Sequence, residues 1–237
     1  MQRAAGALEH LDRAIAPAER DASLADIDRL NARFGGYSLT LRALDRLVRR
    51  APPSRPWLVV DVGGGRGDFA RRLIRHMRRR RRAVHVVVVD RDPDLLAVAR
   101  RAAPPNVSLV RADASALPFR ARAVDVVTIS LTLHHMEPGA AVTSLGEMST
   151  AARTAIVVND LLRSRLSLWL VWIATRVLGC HPISRHDGPL SVRRAYSPDE
   201  VRRLAGQAGL PAPRIERYPL LGRLLAVIDL SVRADTG

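Results

Sequence analysis

The chain has 237 residues, which is enough for one α/β domain with a modest additional lobe and a core that needs no disulfide. Its formal net charge of +15 favours a nucleic acid or an anionic membrane as partner, but the sequence contains no lysine, and an all-arginine composition also reflects GC-rich coding. The lone cysteine, Cys180, excludes an internal disulfide and fits a reducing compartment. Because no apolar leader begins the chain, we expect a cytoplasmic protein.

The first 50 residues are expected to form an N-terminal helical cap. Apolar residues at helical spacing mark three segments, Leu8–Ile15, Leu24–Phe34 and Leu41–Val48. A pair of glycines separates the second segment from the third. The proline-rich stretch 51–56 then ends the cap as a stiff linker.

A buried strand and a glycine-rich turn follow the linker. The run Trp57–Val60 is continuously apolar, as strands covered on both faces are. In the next residues, Gly63, Gly65 and Gly67 permit a tight turn and the close approach of a ligand to the backbone, and a helical pattern begins at Asp68. Dinucleotide and phosphate sites share this outline, but a phosphate-loop ATPase is excluded because it needs a lysine.

Three later features narrow the ligand to S-adenosylmethionine. The acidic residue Asp90 ends the second predicted strand, where a carboxylate can accept both hydroxyls of a ribose. After the third strand, Asp113 and Ala114 stand where an adenine amino group would be bound. A fourth strand, Val124–Ser130, runs directly into a loop that contains two adjacent histidines.

Together these motifs resemble the core of class I S-adenosylmethionine-dependent methyltransferases over about residues 57–160. The resemblance implies a Rossmann-like α/β fold with a mostly parallel seven-stranded sheet, N-terminal helices and a methyltransferase domain over residues 51–237. It implies S-adenosylmethionine as the cofactor. The residues that it assigns to cofactor binding are Asp61, Gly63, Gly65, Gly67, Asp90, Arg91, Asp113, Ala114 and Ser130.

From residue 57 to 160, strands alternate with helical patterns, which favours a parallel sheet with right-handed crossovers. A helix is predicted over Pro138–Thr150 and the fifth strand over Thr154–Val158. Ligands of such sheets lie beyond the carboxyl ends of the strands. The candidate residues at these ends are Gly63, Asp90, Asp113, His134 and Asp160.

Residues 161–195 are expected to form a helical insertion after the fifth strand. Its charge-free run, Leu166–Thr175, is too short to span a bilayer, and Trp169 and Trp172 share one face. The segment could pack on its own domain, cover the pocket as a lid, form a dimer contact or lie in a membrane interface. Residues 186–196 are expected to be a polar loop. A helix capped by Ser197 and an antiparallel pair of strands complete the chain.

The wider pattern is similar to bacterial methyltransferases associated with type III polyketide synthases. The similar stretches are Asn159–Leu166, the tryptophan-rich segment that follows, and Asp187–Pro198. This resemblance implies a phenolic or quinone-like polyketide product as acceptor, which is small, aromatic and apolar.

The chemistry of such a transfer requires positioning and a base. Methyl transfer from a sulfonium is a direct displacement, so most of the catalysis can come from alignment. A phenol with a pKa of about 10 must also lose its proton, and histidine is the natural base. Phenolic O-methyltransferases carry a histidine at the position that matches His134, and Asp160 on the neighbouring strand could orient its ring. Alternatively His134 only supports its loop; His135 is the second candidate. No metal is expected, because the histidines are scattered and no carboxylate cluster accompanies them.

Four functions remain open at this stage. O-methylation of a small phenolic acceptor is the first hypothesis, and C-methylation of a quinol precursor would use the same base. A nucleic-acid methyltransferase is suggested by the arginines, but the loop after the fourth strand lacks the Asp/Asn-Pro-Pro-aromatic motif, so nucleic acid is disfavoured as partner. A non-enzymatic S-adenosylmethionine-binding protein is the fourth. Monomer and homodimer are both compatible with the sequence.

Overall fold

The computed structural model describes residues 1–13, 15–50 and 55–231, without the side chain of residue 50. The proline-rich linker predicted at 51–56 lies largely outside the described residues. In chain order the elements are α1 (Pro17–Arg33), α2 (Gly36–Arg50), β1 (Trp57–Val62), α3 (Asp68–Arg79), β2 (Val84–Asp90), α4 (Pro93–Ala102), β3 (Val107–Arg111), β4 (Val124–Ser130), α5 (Pro138–Ala151), β5 (Ala152–Leu161), α6 (Arg165–Val177), α7 (Pro182–Arg194), α8 (Pro198–Gln207), β6 (Arg214–Tyr218) and β7 (Arg223–Asp229). Short 3-10 turns cover His10–Asp12, Leu133–His135 and Pro219–Leu221.

The seven strands form one sheet in the order β3-β2-β1-β4-β5-β7-β6. Strands β1 to β5 are parallel to one another, whereas β7 is antiparallel to both β5 and β6. This arrangement confirms the Rossmann-like, mostly parallel sheet. The strand order reverses at β1, which lies between β2 and β4, and ligands of open α/β sheets bind in the crevice at such a point.

The sheet is covered on both faces, which explains its continuous apolar strands. Consecutive residues of a strand point to opposite faces. Val59 and Val60 therefore enter two different cores, and both are fully buried. Helices α5 and α8 pack in the core that contains Val60, and α2 and α3 pack in the core that contains Val59.

The N-terminal helices agree only in part with the prediction. Helices α1 and α2 are present, and Arg33 and Gly36 bound the break between them. The prediction of a helix over Leu8–Ile15 was wrong. In the described residues, this stretch contains only the short turn His10–Asp12. The backbone N–H groups of His10 and Leu11 donate to the Asp187 carboxylate instead of to a helical carbonyl. Whether residue 50 is a domain boundary stays a prediction.

The polar loop expected at 186–196 was also wrong, because helix α7 covers most of it. Gly188 and Pro189 suggest a helix break, but packing overrides this local preference. A β-carbon at Gly188 would lie 3.0 Å from Cγ1 of Val171, so the missing side chain lets α6 and α7 approach closely. That these two helices are an insertion relative to the family stays a prediction.

The fifth strand is longer than its prediction, since it continues to Leu161. Pairing with the antiparallel β7 extends it, and Asp160 lies opposite Leu224 in that register. Asp160 is therefore held inside the last part of a strand rather than in a loop after it. In the described residues, no helix has the length and apolarity that crossing a bilayer requires.

Candidate active site

The glycine-rich turn after β1 has a backbone that only glycine adopts easily. Gly63, Gly65 and Gly67 have φ angles of 67°, 52° and 69°, in the left-handed region. A β-carbon at Gly63 would lie 2.4 Å from the Thr132 hydroxyl oxygen. A β-carbon at Gly64, a position absent from the predicted set, would lie 2.7 Å from Oδ2 of Asp61. The turn therefore brings bare backbone to the edge of the sheet.

Asp90 closes the other side of this turn. Its Oδ2 accepts a hydrogen bond from the Gly65 N–H at 2.9 Å, and its Oδ1 accepts one from the Asp92 N–H at 2.9 Å. A carboxylate oxygen has two acceptor sites, so each oxygen keeps capacity for a ligand hydroxyl. The turn and the carboxylate form one rigid unit at the end of β1 and β2.

The Asp61 carboxyl is buried below the turn. It is 2% exposed, and its Oδ1 accepts a hydrogen bond from the Thr128 hydroxyl at 2.9 Å. Burial raises the pKa of Asp61 to about 7, the negative charge of Asp90 adds to this, and the Thr128 hydrogen bond opposes it. A ligand with positive charge would therefore favour the ionised form of Asp61.

Two further predicted residues offer polar atoms to a ligand. Asp113 accepts hydrogen bonds from the Ser115 N–H at 2.8 Å and hydroxyl at 2.6 Å, which lower the pKa of Asp113. The Ser130 hydroxyl is buried without a hydrogen-bond partner in the described residues and lines the same cavity. Buried hydroxyls normally have a partner, so this one fits a site whose ligand supplies it.

These groups line one cavity of about 850 Å³ at the carboxyl edge of the sheet. Its volume lies at the upper end of the range for small-molecule sites. Gly67 alone among the nine predicted cofactor residues does not line it, since Gly67 instead precedes the first residue of α3. Beyond the polar end, the cavity continues along apolar side chains of α1 and α6, namely Leu24, Ile27, Leu170, Val171 and Ala174.

His134 lines this cavity and forms a buried pair with Asp160 behind it. Nδ1 of His134 lies 2.7 Å from Oδ1 of Asp160, and the His134 backbone N–H donates to Oδ2 at 3.0 Å. The two residues are 2% and 5% exposed. Burial alone would raise the pKa of Asp160, but the His134 charge and the hydrogen bonds from His134 and the Leu161 N–H hold this pKa below its usual value.

Glu9 was not predicted as a site residue, yet it lies against both histidines. Its Oε1 is 3.8 Å from Nε2 of His134, and its Oε2 is 3.9 Å from Nε2 of His135. Glu9 is 3% exposed, and burial raises the pKa of Glu9 although His135, Ser191 and Arg194 oppose that shift. The expectation that no carboxylate cluster accompanies the histidines was therefore wrong, since Glu9 joins Asp160 beside them.

Arg194 supplies the positive charge of this cluster. Its Nη1 lies 2.5 Å from Oδ2 of Asp12 and 3.4 Å from Oε1 of Glu9. Asp12 in turn lies 3.1 Å from Nδ1 of His135. Glu9, His134 and His135 are close enough for one ion to bridge them. The positive charge of Arg194 already compensates the Glu9 carboxylate. The absence of a resident metal stays a prediction.

The N-terminal segment, residues 3–12, carries Glu9 and Asp12 across the site. Nη2 of Arg3 donates to the carbonyl of Met136 at 2.9 Å, and the Gly6 N–H donates to Glu137 at 3.0 Å. Asp187 accepts from two more N–H groups of the segment. In the sequence, the only signal for Glu9 is that it and Asp12 are two acidic residues one helical turn apart. No local pattern relates these two residues to His134 and His135, which lie more than a hundred positions away.

Comparisons with known proteins agree with this geometry. Residues 59–154 match a family model described as a methyltransferase domain. The curated relatives include the ubiquinone/menaquinone biosynthesis C-methyltransferase UbiE of Brucella anthropi, 35% identical over 92 residues, which are 36% of this chain and 34% of the relative. UbiE of Bartonella bacilliformis is 33% identical over 92 residues, which are 36% of this chain and 34% of that relative. The chain spans about one-third of the length of the curated relatives that it matches.

Solved structures extend the likeness beyond the matched residues. The plantazolicin methyltransferase BamL has a TM-score of 0.68 and 12% identity over 90% of this chain and 91% of that chain. The magnesium protoporphyrin IX methyltransferase of Synechocystis PCC 6803 was solved with bound SAH. It has a TM-score of 0.55 and 14% identity over 92% of this chain and 89% of that chain. At such identities the likeness concerns the fold. Residues 59–154 therefore match a methyltransferase domain, and the chain has the fold of these solved methyltransferases.

Proposed function

We propose that the protein transfers a methyl group from S-adenosylmethionine to the oxygen of a small, apolar phenolic acceptor. The observation that carries this proposal is that His134, paired with the buried Asp160, lines the same cavity as the glycine-rich turn. In S-adenosylmethionine the methyl group is bonded to a positively charged sulfur, and this electrophilic carbon is the chemistry that the cofactor supplies.

The polar end of the cavity would hold the cofactor. The free acceptor sites of Asp90 suit the two ribose hydroxyls, and Asp113 and Ala114 suit the adenine amino group. The bare backbone at Gly63–Gly65 suits the amino-acid part, with Arg91 and Ser130 beside the nucleoside. A cofactor that carries positive charge would stabilise the ionised form of the buried Asp61 carboxyl.

The apolar end of the cavity would hold the acceptor. Side chains of α1 and α6 line it, and an aromatic acceptor would exclude water from them. The histidines and Glu9 lie where these apolar walls meet the polar end. An acceptor hydroxyl bound at this junction would contact the base while its ring stays among aliphatic side chains.

His134 is proposed to take the hydroxyl proton at Nε2. When Nδ1–H donates to Asp160, the neutral ring carries its lone pair on Nε2. The imidazolium that forms would lie between two carboxylates, Asp160 on one side and Glu9 on the other. Glu9 and Asp160 would thus both lie beside the positive charge that forms when the ring takes the proton. His135 would be the second candidate for the base.

A methylation screen tests the proposal. The full chain is incubated with S-adenosylmethionine and a panel of phenols that includes alkylresorcinols and quinols. RNA is tested separately for comparison. Mass spectrometry and NMR of the products then give the methylated atom. We expect a methyl ether from at least one apolar phenol. Cofactor binding without transfer to any phenol would overturn the acceptor class, and transfer to RNA would favour the nucleic-acid enzyme.

C-methylation of a quinol precursor is the second candidate. It is favoured by the relatives, which are named as C-methyltransferases of ubiquinone and menaquinone biosynthesis over the shared 92 residues. Removal of a phenolic proton also activates the ring carbons, so His134 and Glu9 would act in the same way. The two reactions differ in the product. The product of C-methylation keeps all its hydroxyl groups and gains a carbon-bound methyl group, whereas O-methylation converts one hydroxyl group into a methyl ether.

A further inference from the structure

Helix α6 exposes an apolar face on the outside of the cavity wall. We call this the outer face of α6 and define it as Leu166, Trp169, Trp172, Ile173 and Val177. These side chains are between 43% and 77% exposed. The two tryptophan rings contact each other edge to face at 5.6 Å. A patch of this kind on a soluble domain marks an interaction surface.

Positive charge accompanies the outer face of α6. Arg165 and Arg176 lie on the same side of the helix as the tryptophans, each four residues from the nearer one. The Arg176 guanidinium lies 4.1 Å above the Trp172 ring. The sequence contains no acidic residue between Asp160 and Asp187. The surface therefore combines an apolar centre with arginines and lacks the carboxylates that would repel an anionic partner.

The helix that carries the outer face of α6 also forms part of the cavity wall. The opposite side of the same helix lines the cavity through Leu170, Val171 and Ala174. The turn Pro219–Leu221 packs beside α6, and its Leu220 both lines the cavity and is 79% exposed. Leu220 thus provides an exposed apolar side chain both at the cavity and in the turn beside α6.

We propose that the outer face of α6 binds the surface of an anionic lipid bilayer. A 13-residue helix is too short to span a bilayer but can lie in its interface with the apolar side down. Tryptophan prefers that interface, and arginines are attracted to anionic headgroups. A second copy of the chain fits less well, because a twofold contact would bring Arg165 and Arg176 of both copies together without carboxylates. Delivery of an apolar acceptor through this face rests on the proposed function, but lipid binding does not.

Vesicle binding by the full chain tests this inference. Sedimentation is compared for vesicles of phosphatidylcholine alone and for vesicles with about one-third phosphatidylglycerol. We expect wild-type protein to bind the anionic vesicles. The double variant W169S/I173S is expected to bind at least about tenfold more weakly, and Arg165→Glu about tenfold more weakly. Val98→Ser, which removes an exposed apolar side chain of α4, is the matched control and should bind normally.

The arginine-rich end of α3 requires its own control. Arg79 is exposed at the other edge of the sheet, so Arg79→Glu should leave vesicle binding unchanged if α6 is the docking surface. Loss of binding with Arg79→Glu but not with W169S/I173S would overturn the inference, as would wild-type protein that does not bind. A dimer in light scattering that W169S/I173S dissociates, without vesicle binding, would assign the face to a second copy.

Cofactor calorimetry and circular dichroism on each variant show whether it is folded. These measurements also separate the two proposals. A chain that binds anionic vesicles through α6 but methylates no phenol would retain this inference and lose the proposed function.

Discussion

At the scale of single residues, the site depends on carboxyl groups that are buried beside groups of opposite or changeable charge. Asp160, Glu9 and Asp61 are each 5% exposed or less, and burial acts to raise the pKa of all three. Their partners differ, so only the pKa of Asp160 ends below its usual value. The His134 ring and the hydrogen bonds that Asp160 accepts from His134 and the Leu161 N–H explain that difference.

The first prediction concerns His134. His134→Gln removes the basic nitrogen but keeps a polar side chain, so kcat should fall by about 10²- to 10⁴-fold. Cofactor affinity in calorimetry should stay within about twofold of wild type, because the ring touches the acceptor end of the cavity. His85→Gln, outside the cavity beside Ser108, is the matched control and should keep full turnover. Unchanged kcat in His134→Gln would remove it as the base.

The second prediction concerns Asp61 and pH. The pKa of Asp61 is raised to about 7 in the folded chain from 3.8, so the folded state holds its proton more tightly than the unfolded state. This contribution to stability is fully present below about pH 4 and is lost as pH rises to about 7, by up to about 4 kcal/mol. Between about pH 4 and pH 7, the free energy of unfolding of Asp61→Asn should therefore fall less than that of wild type. The substitution should also weaken cofactor binding.

Urea denaturation at a series of pH values from 4 to 8 measures this effect as the difference between variant and wild type. Other groups titrate in the same range, and the difference cancels their contribution. Asp21→Asn, an exposed carboxyl of α1 outside the cavity, is the control and should follow the wild-type profile. An identical profile for Asp61→Asn and wild type would contradict the raised pKa.

At the scale of elements, the turn between β1 and α3 is the most constrained part of the site. Its glycines adopt left-handed backbone angles or stand where a side chain would collide. The turn is also bonded to the next strand, since the N–H groups of Gly63 and Gly64 both donate to the carbonyl of Val89. Conformation and packing thus act together to hold bare backbone at the edge of the sheet.

The third prediction is a pair of glycine substitutions. A β-carbon at Gly64 would lie 2.7 Å from Oδ2 of Asp61 and 2.8 Å from Cγ1 of Val88, so Gly64→Ala should destabilise the fold by about 1 to 3 kcal/mol and weaken cofactor binding. Gly146→Ala in α5 meets nothing within 4 Å and should stabilise the fold by about 0.5 to 1 kcal/mol. Thermal unfolding and calorimetry measure both. Equal effects of the two substitutions would show that the turn tolerates a side chain.

The elements also show how far local patterns reach. The apolar runs and the glycine turn predicted β1, β2 and β4 almost to the residue, because burial on both faces leaves a continuous signal in the strand itself. Helix α7 was missed because residues 186–196 are dense in polar groups and were expected to be a loop. Only the close contact between Gly188 and Val171 of α6 explains why a glycine is accommodated there.

At the scale of the whole molecule, the cavity is completed by parts of the chain that are far apart in sequence. The N-terminal segment contributes Glu9 and Asp12, and α7 contributes Arg194. Asp187 holds the segment in place through the N–H groups of His10 and Leu11. The segment covers the acceptor end of the cavity and must move if ligands exchange on that side.

The fourth prediction tests this closure. Asp187→Ala leaves two N–H groups without their acceptor, so amide exchange of residues 3–12 should become at least about tenfold faster. The kcat for a phenol should fall because Glu9 is no longer held beside His134, and the core amides of β1 and β4 should exchange as in wild type. Asp199→Ala, an exposed carboxyl at the start of α8, is the control. Exchange that is unchanged in the segment would show that Asp187 does not hold it.

The sequence by itself determined the class of fold and, through its family resemblance, the cofactor, and it suggested the pairing of His134 with Asp160. These depend on local features: apolar runs, glycines and residues at strand ends. Tertiary structure alone decided that Glu9 and Arg194 join that pair, that residues 186–194 are helical, and that α6 has one face on the cavity and one in solvent. The physical reason is that burial and turn preference are recorded residue by residue along the chain. The meeting of Glu9 with His134 depends instead on how separate elements pack, and no neighbouring residue carries that information.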